Sequence, residues 1–142
     1  MIKVLAIDDN LLDLAITCRM LNADKNIQVF FTSEPMKAVD LALEIEPDVI
    51  LLDILMPCLD GIEVRRRLLL HSYTRDIPII FLTSSNSSDV RAESNSVGCL
   101  TYMQKPADRD DLITNIKASQ AIRYISKALD SISEARKDVN QD

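Results

Sequence analysis

No apolar run in this 142-residue chain reaches the roughly 20 residues that a membrane-spanning helix needs. The apolar opening, Met1 to Ile7, is too short for a span or a signal peptide, and Asp8 and Asp9 follow it at once. An excess of basic charge is missing too. The net charge is −6, so nucleic-acid backbones and anionic membranes are repelled by the surface as a whole, and neither is an expected partner. Divalent cations stay open, because a local cluster of acids attracts them. Cysteine is scarce: Cys18, Cys58 and Cys99 are odd in number and share no zinc-motif spacing, so they read as reduced thiols in a cytoplasmic protein. The one histidine, His71, stands apart from every other motif and reads as a surface residue. Repeats and low-complexity tracts are absent. A chain of this length buries about 68–70% of its unfolded surface, enough to fold as one domain without disulfides or structural metal.

What is present is alternation. Short, bulky apolar runs cover Ile2–Ile7, Val49–Leu52 and Ile77–Leu82, with weaker ones at Ile27–Phe31 and Leu100–Met103. Such runs suit strands buried on both faces. Between them lie helix-like stretches: Leu11–Leu21, a segment from a Ser33 cap to Glu46, one opened by Asp60-Gly61-Ile62-Glu63 and running to Leu70, Asn86–Ser96, and a last one capped near Asp108. Five strands alternating with five helices imply a doubly wound α/β domain with a parallel sheet. The order 2-1-3-4-5 is one of two common solutions, and both put the functional crevice at the carboxyl ends of the strands.

The residues at those ends carry the chemistry. Asp8 and Asp9 follow the first strand, Asp53 the third, Thr83 and Ser84 the fourth, and Lys105 and Pro106 the fifth. Carboxylates that crowd together repel unless a proton or cation intervenes. Their hard oxygens suit Mg²⁺. A carboxylate is also a nucleophile able to form an acyl phosphate, and phosphoryl transfer needs positive charge around the equatorial oxygens.

With these motifs in order, the sequence resembles the CheY-like receiver domains of two-component response regulators. The resemblance rests on Asp8-Asp9, on Asp53-Ile54-Leu55-Met56-Pro57 with Asp60-Gly61, on Leu82-Thr83-Ser84, and on Gly98 through Tyr102 to Lys105-Pro106. It covers roughly residues 1–120. It implies a flavodoxin-like five-stranded sheet and a regulatory domain, not an enzyme in the usual sense, that promotes its own phosphorylation and dephosphorylation. Asp53 is the implied phosphoryl acceptor, with a histidine kinase or phosphotransfer protein as donor. Mg²⁺ or Mn²⁺ is implied on Asp9 and Asp53, on Asp8 mostly through water, and on the Leu55 carbonyl. The resemblance further implies that Lys105 pairs with Asp53 and then with the phosphoryl oxygens, that Thr83 hydrogen-bonds the phosphoryl group, and that Tyr102 is the aromatic switch that biases the face of helix 4, strand 5 and helix 5. Pro57, Gly61 and Pro106 are structural, the last in a cis peptide. His71 has no implied relay role. Ala107 departs from the bulky residue usual after Lys-Pro. Leu55 and Ser85 occupy variable positions that tune dephosphorylation.

Asp108–Asn140 contains neither Gly nor Pro. The expected division is a receiver domain at 1–122 and a helical extension at 123–142, linking to an output domain or protein. Ile122, Ile125, Leu129, Ile132 and Val139 recur at three- and four-residue steps, with Arg136 interrupting. The stripe is read as a pairing surface for a second copy in a parallel dimer. The other reading folds it against its own domain. Two alternative functions use the same residues: a Mg²⁺-dependent small-molecule phosphatase, and a phosphate-independent pseudo-receiver acting as an interaction module. The adjacent Asp8-Asp9 pair, with the best nucleophile after the third strand, argues against the first, and the complete set of chemical residues argues against the second.

Overall fold

The computed structural model describes residues 1–84, 88–98 and 101–140. Ser85, the Asn86 start of the fourth helix, Cys99 and the Leu100 start of the fifth strand lie outside the described residues. The chain runs β1 (Ile2–Ile7), α1 (Leu11–Asn22), β2 (Ile27–Thr32), α2 (Ala38–Ile45), β3 (Val49–Leu52), α3 (Gly61–Leu69), β4 (Ile79–Thr83), α4 (Ser88–Ser96), β5 (Thr101–Gln104) and α5 (Arg109–Asn140). The strands pair in parallel in the order β2-β1-β3-β4-β5, as expected.

Side chains that alternate along the strands fill a core on each face of the sheet. Leu5, Ile7, Ile50, Leu52 and Phe81 join one cluster with Ile62, Val64 and Leu68 of α3. Ile2, Val4, Ala6, Leu51 and Ile80 join the other with Leu14 and Leu21 of α1 and Leu112, Ile113 and Ile116 of α5. Burying each Val, Leu, Ile or Phe among them is worth about 1.5–3 kcal/mol. Leu112, Ile113 and Ile116 are the only buried residues of α5. Beyond them the helix is held by polar contacts, among them Arg123 Nη1, which donates to the Pro47 carbonyl at 3.0 Å. The helix crosses residues 122 and 123 without a break.

Two local expectations are corrected. Pro78 has no N–H to give a ladder, so β4 begins at Ile79 rather than Ile77; the Pro78 carbonyl still accepts from Ile50 N–H at 3.0 Å. The second helix is not capped at Ser33. Pro35–Lys37 form a 3₁₀ turn after Glu34, and α2 starts at Ala38. The three consecutive arginines, Arg65, Arg66 and Arg67, divide between the interior and the surface. Arg65 is buried, its Nε donating to the Val97 carbonyl at 3.3 Å and its Nη1 to the Arg75 and Ile77 carbonyls at 3.4 Å. Arg66 and Arg67 stay outside and pair with Glu63.

The turn after β3 depends on Gly61. Its N–H donates to the Ile54 carbonyl at 2.8 Å, and a Cβ there would lie 2.1 Å from the Asp53 carbonyl oxygen. Gly61→Ala must push the β3–α3 turn away from the sheet edge. A loss of about 2–3 kcal/mol is expected in urea denaturation, near the upper end for overpacked sites.

Candidate functional site

Backbone hydrogen bonds bring the strand ends together. Asp53 N–H donates to the Ile7 carbonyl at 3.0 Å, which sets the residue that follows β3 beside the end of β1. Lys105 N–H donates to the Thr83 carbonyl at 2.8 Å, which ties the turn after β5 to the end of β4. The Lys105–Pro106 peptide in that turn is cis. Asn10 caps α1, its Oδ1 accepting from Asp13 N–H at 3.0 Å, while Asn10 N–H donates to Asp8 Oδ1 at 3.0 Å.

Carboxylate oxygens of Asp8, Asp9 and Asp53 lie within 4.8 Å of one another. Asp8 and Asp53 are buried, and Asp9 is half-buried. Lys105 faces them, with Nζ 2.5 Å from Asp8 Oδ2, 3.0 Å from Asp13 Oδ2 and 3.5 Å from Asp53 Oδ2. The lysine expected to pair with Asp53 therefore sits closer to Asp8 and Asp13 in this state. Asp13 is a site residue that the sequence reading missed. Thr83 is fully buried at the end of β4. Tyr102 is half-buried beside the α3-side core, with the Arg91 guanidinium 5.0 Å from its ring centroid. Leu55 and Pro57 are exposed in the β3–α3 loop, and Cys58 there has φ 68°.

Burial pushes the Asp53 carboxyl up to about 6; the Lys105 charge opposes that rise and Asp8 adds to it. Burial alone would lower the Lys105 ammonium, but its hydrogen bonds to Asp8 and Asp13 and the charges of Asp53 and Asp8 leave it raised. Among the described residues Asp53 Oδ1 is buried with no hydrogen-bond partner. A buried carboxylate oxygen without a donor, beside two further carboxylates, fits a hard cation with oxygen ligands.

A doubly wound sheet whose carboxyl edge gathers three acids and an ammonium defines a class of α/β module with an acidic crevice at its strand ends. The profile of the response regulator receiver domain matches residues 4–117, and the chain belongs to that family. It is 30% identical over 115 residues to sporulation initiation phosphotransferase F of Bacillus subtilis, covering 81% of this chain and 90% of that protein. It is 29% identical to the response regulator MprA of Mycobacterium leprae, over 99% of this chain and 60% of MprA. It spans less than half the length of the ycf29 regulators of Pyropia yezoensis and Porphyra purpurea. Among solved structures, the Vibrio cholerae chemotaxis protein CheY4 superposes with a TM-score of 0.78 at 26% identity, over 84% of this chain and 98% of that one. The receiver domain of a Pseudomonas aeruginosa sensor histidine kinase, which has a magnesium ion in its active-site cleft, gives 0.76 at 26% identity, over 84% and 97%. No described helix is long and apolar enough to cross a membrane.

Proposed function

We propose that this chain is a phosphorylation-dependent switch that accepts a phosphoryl group on Asp53 from a histidine kinase or phosphotransfer protein. The observation that carries the reading is the unpartnered, buried Asp53 Oδ1 beside Asp8, Asp9 and Lys105. In the transfer an Asp53 oxygen bonds to phosphorus as the P–N bond to the donor histidine breaks. The bonding pair leaves on the imidazole, which is protonated at its other nitrogen and departs neutral. In dephosphorylation a water oxygen attacks phosphorus, the P–O bond to Asp53 breaks with its electron pair returning to the carboxylate, and inorganic phosphate leaves carrying the water's protons. Asp9 and Asp53, with Asp8 through water and the Leu55 carbonyl, would hold Mg²⁺ or Mn²⁺, which supplies positive charge for the phosphoryl oxygens. Lys105 supplies a second positive charge to the same oxygens, and the Thr83 hydroxyl donates a hydrogen bond. Movement of Thr83 toward the phosphoryl group makes room for the Tyr102 ring, and the face of α4, β5 and α5 carries the change to an output domain or protein.

Asp53 sets a pH dependence. Folding raises its pKa from 3.8 to about 6, so the folded protein holds a proton there between those values. In metal-free protein this contribution to stability is full below 3.8 and is lost as pH rises through about 6. Mg²⁺ needs the carboxylate free of its proton. Its affinity, followed by titration calorimetry, should fall toward tenfold per pH unit below about 6 and level off above it. An affinity constant across that range contradicts the assignment.

The α5 extension supports a second partner. Ile122, Ile125, Leu129, Ile132 and Val139 are all exposed. The positions flanking this stripe, Ser126, Ala128, Ser133 and Ala135, are small and uncharged, so like charges of two parallel copies oppose one another within the stripe at Arg136 and not along its flanks. Residues 1–122 then form the receiver and 123–142 the extension through which two copies pair. Leu129→Lys is expected to weaken self-association about tenfold or more by sedimentation equilibrium, as a buried charge would.

The reading is tested by incubating the protein with acetyl phosphate, with Mg²⁺ or with EDTA, and measuring intact mass. A phosphate-sized gain with Mg²⁺ alone supports it. Steady release of inorganic phosphate from small phosphomonoesters, with no adduct on the protein, favours a phosphatase instead.

A further inference from the structure

We infer that Asp13 is a positioning residue for Lys105: it holds the ammonium in the unphosphorylated protein and competes with the phosphoryl group for it. The inference rests on Asp53 being the phosphoryl acceptor.

Asp13 Oδ2 lies 3.0 Å from Lys105 Nζ, nearer than Asp53 Oδ2 at 3.5 Å. An ammonium has three N–H donors. In this state two of its hydrogen bonds go to Asp8 and Asp13. Phosphorylation of Asp53 places phosphoryl oxygens on the Asp53 side, where the third N–H can meet one of them, while the bond to Asp13 draws the ammonium away from that side. The partners differ in what release costs. The Asp8 and Asp53 side chains are 8% exposed, whereas that of Asp13 is 38% exposed and takes up water readily. Asp13 is the labile partner. It lies outside the Asp8, Asp9 and Asp53 cluster, so it contributes charge without serving as one of those ligands.

Its placement comes from the start of α1. Asn10 accepts the Asp13 N–H and, through its carbonyl, the Leu14 N–H at 3.0 Å. That fixes the first turn of the helix with Asp13 beside Lys105, Pro106 and Ala107, along a cleft also lined by Ile16 and Met20. An acid in the first turn of a helix is ordinarily explained by the helix dipole. That explanation does not require a lysine 92 residues away to lie in hydrogen-bond contact. The Asp13 charge acts twice against phosphorylation: it competes for Lys105, and it repels the dianionic group that approaches Asp53.

The test compares wild type, Asp13→Asn and Asp13→Glu in the initial rate of phosphate mass gain from acetyl phosphate with Mg²⁺. Asp13→Asn should gain phosphate about fivefold faster at low ionic strength, and the difference should shrink in high salt as screening replaces the lost repulsion. Asp13→Glu should return to the wild-type rate. A purely structural role predicts neither the salt dependence nor the rescue. Should the Asn variant misfold, Asp13→Ser removes the same contact and must change the rate in the same direction. Equal or slower charging by a folded Asp13→Asn, or a difference indifferent to salt, overturns this inference and leaves Asp53 as acceptor untouched. Wild type that takes up no phosphate removes both.

Discussion

Asp53→Asn is expected to abolish phosphate gain from acetyl phosphate while making the metal-free protein more stable. The two effects have one origin. The Asp53 carboxylate is buried, it lies among other acids, and one of its oxygens has no hydrogen-bond partner among the described residues. Ionising it opposes folding, which is why its pKa is raised to about 6. An amide of the same shape removes the charge and the nucleophile together. Above pH 7 the variant should gain on the order of 1–2 kcal/mol in urea denaturation with EDTA, a value reduced from the full pKa conversion because solvent screens part of the charge. At pH 5 wild-type Asp53 is already largely protonated, and most of the gain should vanish. Mg²⁺ affinity should fall about 100-fold, as one of few ligands is lost. A variant that still charges, or that is less stable at pH 8, contradicts the placement of Asp53.

Lys105→Met is the converse. The Lys105 side chain is 13% exposed and faces Asp8, Asp13 and Asp53. Its removal leaves buried carboxylates without a counter-charge, a change that typically costs about 3–5 kcal/mol. The loss should be largest at high pH in EDTA, smaller at pH 5 where Asp53 takes a proton, and partly restored by Mg²⁺. Phosphorylation should slow about 100-fold or more, because one of the charges that stabilises the transferring group is gone. Melting curves with and without Mg²⁺ and the rate of mass gain read both effects. Unchanged stability in EDTA would mean that Lys105 is a solvated lysine.

Much of this was legible in the sequence because parallel strands announce themselves. Val49–Leu52 is buried at every position, so the first polar residue after it, Asp53, falls at the sheet edge. The same logic places Asp8 after Ile7 and Thr83 after Leu82. Asp13 was not legible in this way. It follows a helix start rather than a strand, where an acid has an ordinary explanation. The Asn10 cap, three residues earlier, is the signal that fixes its turn of helix. Arg65 was hidden inside a run of three arginines, yet it stands three residues from both Ile62 and Leu68 on the buried stripe of α3, so helical spacing separates it from its neighbours. The need for glycine at position 61 has no local signature. It arises from the approach of the Asp53 backbone, which only the folded chain reveals.

Chemical mapping of the phosphoryl group tests the central claim most directly. Borohydride reduces an aspartyl phosphate to homoserine, and peptide sequencing by mass spectrometry then locates it. After charging with acetyl phosphate and Mg²⁺, homoserine is predicted at position 53 and nowhere else. Homoserine at position 8, 9 or 13, or at no position in protein that has gained phosphate, would contradict the account.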